Sequence, residues 1–153
     1  MKSVLAAAVA AAALAGPALA AGPALTHGQL VARADAICVR YDSLLAAPPG
    51  IDAELGDAAY DAAWIRIFER QRAALAALKA PPRDRVAYAR LLRTLPAIRD
   101  AFEALTVAIE AGRPVKSWRP LSNRLRSAER QADNAARAVG LKRCFRSDGP
   151  AHQ

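Results

Sequence analysis

The chain has 153 residues, a formal net charge of +8, and 22 Lys and Arg against 14 Asp and Glu. Hydrophobic residues make up 54% of it, while glycine and proline gather at segment ends, so the body reads as neither disordered nor fibrous. Two Cys, two His and only 5% aromatic residues leave little material for a metal centre or a nucleic-acid stacking platform.

Residues 1–20 have the layout of a cleavable signal peptide. Lys2 precedes an uncharged run from Val4 to Leu14, Gly16-Pro17 breaks the run, and Ala18-Leu19-Ala20 supplies small residues for a peptidase cleft. Cleavage is expected after Ala20, with Ala21 nearly as good. The alternative is a retained anchor, since no charge follows until Arg33. A spanning helix needs about 20 strongly apolar residues, and this run is mostly alanine and broken. Without a cysteine near the cleavage point, a lipidated N-terminus is not expected. Residues 21–26 then form a short linker, 27–146 the folded domain and 147–153 a flexible tail.

Loss of Lys2 leaves a mature charge of +7, unevenly placed. Residues 21–81 carry six basic and seven acidic groups, and residues 82–153 carry fifteen and seven. Arginine far outnumbers lysine. Arginine suits bidentate recognition of phosphate or carboxylate, although a GC-rich gene would favour it along with alanine.

Four stretches carry a helical period. Leu30, Ala34, Ile37, Tyr41 and Leu44 share one face of a first helix expected over His27–Ala47, capped by Thr26 and ended by Pro48-Pro49-Gly50. Trp64, Phe68, Gln71, Leu75 and Leu78 share the inner face of a second, expected over Asp57–Ala80 and stopped by Pro81-Pro82. Gln71 on that face needs a polar partner. A third is expected over Arg83–Ala111, on Tyr88, Leu91, Leu95, Ile98, Phe102, Leu105 and Ile109, with Gly112 at its end and a bend at Pro96. The fourth is expected over Ser117–Val139, on Trp118, Leu121, Leu125, Ala128, Ala132, Ala135 and Val139. Ser117 should cap it, Pro120 should sit in its first turn and Gly140 should end it. No stretch alternates with period two, so the fold class is all-α. Short connections between helices of similar length predict an antiparallel up-down-up-down four-helix bundle.

In an oxidising compartment, Cys38 and Cys144 form a disulfide, and two buried free thiols are the alternative. Cys38 lies about 16 Å from the start of its helix. Leu141-Lys142-Arg143-Cys144 must therefore fold back along the bundle to reach it. Three marks here resemble small, Ala- and Arg-rich exported helical proteins of high-GC bacteria that carry no assigned activity. They are Ala-Asp-Ala-Ile-Cys (34–38), the Pro-Pro break (81–82) and Gly-x-x-x-Cys (140–144). The resemblance covers most of residues 30–146. It implies a disulfide-closed helical bundle and no site residues.

Constellations for chemistry are sparse. His27 and His152 are far from any Cys-x-x-Cys or Glu-x-x-His partner, so no cofactor or metal is expected. A Ser or Cys nucleophile lacks a base. Asp57/Asp61 and Glu129/Asp133 are read as solvated pairs on outer helix faces rather than carboxylate dyads. Lys116, Arg119, Arg126, Arg130 and Arg137 lie on the side of the fourth helix away from its apolar stripe. They make either an ordinary solvated exterior or a docking face for an anionic partner, be it envelope lipid, wall polymer or acidic protein. Tyr41, Trp64, Phe68, Phe102 and Trp118 should meet near one bundle end, and could line an apolar pocket there or beside the alanines of the fourth helix. The leading expectation is a non-enzymatic envelope protein binding an anionic partner through the fourth helix, with a carrier of a small apolar ligand as the alternative.

Overall fold

In the computed structural model, which describes residues 23–48, 55 and 57–145, Thr26 opens the first helix with a capping box. Its hydroxyl accepts from the Gln29 N–H at 3.3 Å, and the Gln29 side chain accepts from the Thr26 N–H at 3.0 Å. The expected signal peptide over 1–20, the first two linker residues, Arg146 and the tail with His152 lie outside the described residues.

The first helix, α1 (His27–Ala46), stops at Ala47, which precedes Pro48 and is barred from helical geometry. Asp57 caps α2 (Ala58–Ala76) by accepting from the N–H groups of Ala59 and Tyr60. This helix ends four residues before the expected Ala80. Tertiary bonds take the groups that would prolong it: the Tyr88 hydroxyl donates to the Leu75 carbonyl at 2.7 Å, and the Leu25 N–H donates to the Lys79 carbonyl at 3.0 Å.

A turn over the two prolines delays α3 (Arg85–Glu110) by two residues. The helix runs unbroken through Pro96, which faces solvent. Gly112 follows it at φ 63°, with paired bonds from Gly112 to Ile109 and from Arg113 to Ala108 that complete a Schellman motif. The fourth helix, α4 (Val115–Val139), begins two residues earlier than expected. Pro114 occupies its N-cap, and the Ser117 hydroxyl donates to the Pro114 carbonyl at 2.8 Å instead of capping. Pro120 consequently sits two residues deeper, in the second turn, on an exposed position. Gly140 ends the helix at φ 92°.

The four helices pack around Leu30, Leu75, Leu91, Leu95 and Ile98. The largest interface joins α3 and α4. There α4 offers Ala128, Ala132, Ala135 and Ala136, all buried, so its small side chains bring the helices close rather than leave an open groove. Contacts gather the start of α1, the end of α2, the start of α3 and the end of α4 at one end. His27 Nδ1 and Asp84 Oδ2 are 2.9 Å apart, Leu25 bonds Lys79, and Gly140 lies against His27. Trp64 and Phe102 meet towards the other end. This pattern is consistent with an up-down-up-down course.

Cys38 and Cys144 are joined by a disulfide with a Cα–Cα distance of 5.0 Å, and both are buried. Leu141–Phe145 does fold back along α1. The Asp35 carboxylate holds it, accepting from the Lys142 N–H at 3.0 Å and the Arg143 N–H at 2.9 Å. Leu141 is buried as the strap turns, and Phe145, at φ 54°, packs on the core beyond it.

Candidate functional site

Four of the five cations expected to face outward on α4 are open. Lys116, Arg119, Arg126 and Arg130 are exposed, and none of them forms an ion pair among the described residues. Their helical positions fall within one quadrant of α4, opposite the buried alanines. The stretch from Lys116 to Arg130 extends about 21 Å along the helix axis. Arg126 donates to the Asn123 side chain at 2.6 Å, which steadies the middle of the row. Arg137 differs. Its guanidinium grips the Asp133 carboxylate through Nε at 3.1 Å and Nη2 at 2.8 Å, so part of its charge is spent within the helix.

Asp133 corrects one expectation. It is buried rather than on an outer face. Asp61 is also buried, at 3% exposure. It precedes Trp64 by three residues and therefore shares the inner stripe of α2 with Trp64, Phe68 and Gln71, a spacing that could have revealed it.

At the aromatic end, Trp64 stacks on Phe68 with ring centroids 5.1 Å apart and on Phe102 at 3.9 Å. Tyr41 and Trp118 join no ring stack among the described residues. The Arg40 guanidinium lies 5.7 Å over the Tyr41 ring. Trp118 is half-buried, with an indole N–H that lacks a hydrogen-bond partner.

Gln71 finds the partner that its position demanded. Its amide donates to Asp42 on α1 at 3.3 Å, while its own carbonyl oxygen is buried without a partner. Asp42 keeps more than a third of its surface open. Even so, the atoms packed around its carboxyl displace enough water to push its pKa up to about 6, against the lowering influence of Gln71 and of the Arg143 charge. Asp42 could not be recognised as a titrating group from its neighbours in sequence, because its partners come from α2 and from the strap.

His27 and Asp84 have the form of a base and its orienting acid. However, the Nε2 edge of the imidazole lies against Gly140, and no hydrogen bond joins it to a Ser, Thr or Cys among the described residues. Among the described residues no group of three or more His, Cys, Asp or Glu is placed to hold a metal ion, and no helix is long and apolar enough to cross a membrane. The disulfide belongs to an oxidising compartment. No protein-family model, curated protein or solved structure matches the chain.

Proposed function

We propose that the chain is an exported, non-enzymatic cell-envelope protein whose α4 face docks on an anionic partner. One observation carries the reading: Lys116, Arg119, Arg126 and Arg130 form an exposed cationic row without ion-pair partners among the described residues. Such a row attracts a repeated or extended anion more than a single small one, because its charges are spread along the helix. Arginine adds planar, bidentate donors for phosphate or carboxylate.

Export rests on the sequence of residues 1–20, with cleavage near Ala20, and is supported by the disulfide. It also fits the resemblance to small exported bacterial helical proteins. In the envelope, the available anions are lipid headgroups, wall polymers and acidic proteins. Nucleic acid is a poor fit, since no aromatic side chains interleave the cations. An apolar carrier is the weaker reading, since Trp64, Phe68 and Phe102 stack on one another rather than standing apart around a space.

The test is co-sedimentation of the mature protein with anionic and neutral vesicles and with isolated wall material, across a salt titration. The reading expects binding to anionic material that falls with salt as screening shortens. Replacing Arg119, Arg126 and Arg130 with Glu should abolish that binding and leave the thermal melt unchanged. Equal, salt-insensitive binding to neutral vesicles would sink the proposal.

A further inference from the structure

A groove of about 340 Å³ lies where the chain passes from α2 into α3. Leu78, Tyr88, Ala89 and Leu92 form its apolar walls, and Lys79 and Arg85 are the charged residues of its lining. Ala24 closes one side, held there by the bond from Leu25 to Lys79.

Three features define what this groove can accept. First, Tyr88 is buried and its hydroxyl is already committed to the Leu75 carbonyl, so it closes the floor of the groove without offering a free hydroxyl. Second, the groove's lining includes no acid, and its available positive charge is that of Arg85, since Lys79 is engaged in an interaction of its own. The nearest acid in sequence, Asp84, is engaged by His27 and Arg83, whereas Arg85 forms no ion pair among the described residues. Third, the volume lies at the low end of the range for ligand sites, roughly 300–1,000 Å³. The groove is open to solvent, so one short alkyl chain could lie along it with one side exposed, and a two-chain lipid could not. The groove also flanks the N-terminal end of α3, whose dipole favours a negative group.

We propose that this groove binds a small single-chain amphiphile with an acidic head, of the medium-chain fatty acid class. The alkyl tail lies on Leu78, Tyr88 and Leu92, and the carboxylate sits at Arg85 beside Lys79. This site is separate from the α4 face, so either can fail without the other.

Decanoate and decanol, each below the concentration at which it aggregates, are titrated into the isotopically labelled mature protein and followed by amide chemical shifts. Saturable shifts centred on Leu78, Ala89 and Leu92 are expected, with decanoate at least about tenfold tighter than decanol for one charge-assisted contact. Arg85→Glu should remove that preference and leave decanol unchanged. Arg85 is exposed, so the variant should fold; a circular dichroism melt checks it. Ala89→Trp should block both ligands. Shifts centred on α4, absence of saturation, or an Arg85→Glu protein that still prefers decanoate would overturn the proposal. So would nuclear Overhauser contacts from residues preceding Pro23 to Leu92 in the ligand-free protein, which would mean the chain fills its own groove.

Discussion

Asp35 on α1 accepts a hydrogen bond from the backbone N–H of Arg143 at 2.9 Å, across 108 residues of sequence. It also takes the Lys142 N–H. One carboxylate thus serves two donors that the end of α4 leaves without helical partners, and it does so one turn before Cys38. Asp35→Ala should cost about 1–2 kcal/mol, as expected for the loss of charge-assisted bonds at a partly exposed site. Asp35→Asn keeps an acceptor and should cost less. Urea denaturation of both variants, with the disulfide intact, measures the difference.

The disulfide and Asp35 act on the same strap by different means. The bridge closes a loop of 106 residues, so it restricts the unfolded chain far more than it alters native contacts. The chain-entropy argument gives about 4–5 kcal/mol as an upper expectation. The Cys38→Ala/Cys144→Ala double variant should therefore show a large drop in urea midpoint. Asp35→Ala should cost less in that background than in the wild type, because a strap that is no longer covalently anchored frays more readily. Equal costs in both backgrounds would mean that the two contacts are independent.

The helices were legible because their apolar residues recur three and four apart, and Thr26, Asp57, Gly112 and Gly140 punctuate them. Their exact ends were less so. Whether α2 continues past Ala76 depends on Tyr88 and Leu25, which come from elsewhere in the chain. Asp35 could not be identified as a clamp from its surroundings, since its donors are more than a hundred residues away. Asp61 was legible in principle: pairing it with Asp57 obscured that it also keeps step with Trp64 and Phe68. Asp133 was harder, because the period of α4 places it off the alanine stripe and its burial depends on tertiary packing. The α4 cations could be placed on one side by period alone, but the partial withdrawal of Arg137 required knowing that Asp133 is buried.

Phe102 should be the most costly aromatic to truncate. It is 5% exposed and stacks on Trp64. Phe102→Ala removes both the buried ring and the surface against which the indole rests, and should cost about 3–5 kcal/mol. Phe102→Leu retains much of the volume and should cost less. Trp64 fluorescence should shift to the red in Phe102→Ala as water reaches the indole. An unshifted spectrum would indicate that Phe68 alone shields Trp64.

Asp42 makes stability depend on pH in the direction opposite to an ordinary ion-paired acid. Its folded pKa of about 6 lies above the ordinary aspartate value of 3.8, so the folded state holds the proton more tightly than the unfolded state. Its contribution is full below about 3.8 and is lost as pH rises through about 6. Exposure of the carboxyl limits the size of the effect without changing its sign. Asp42→Asn should flatten this part of the stability profile between mildly acidic and neutral pH. Gln71→Met is the informative companion. It removes the donor that lowers the Asp42 pKa and also deletes a buried carbonyl oxygen without a partner. The first effect should move the loss of stability to higher pH, while the second should make the substitution nearly neutral at low pH, where Asp42 is protonated. Urea midpoints of the wild type, both single variants and the double variant across this range separate the two effects. If Gln71→Met leaves the pH at which stability falls unchanged, the Gln71 amide does not set the Asp42 proton affinity, and the Arg143 charge becomes the principal influence lowering it.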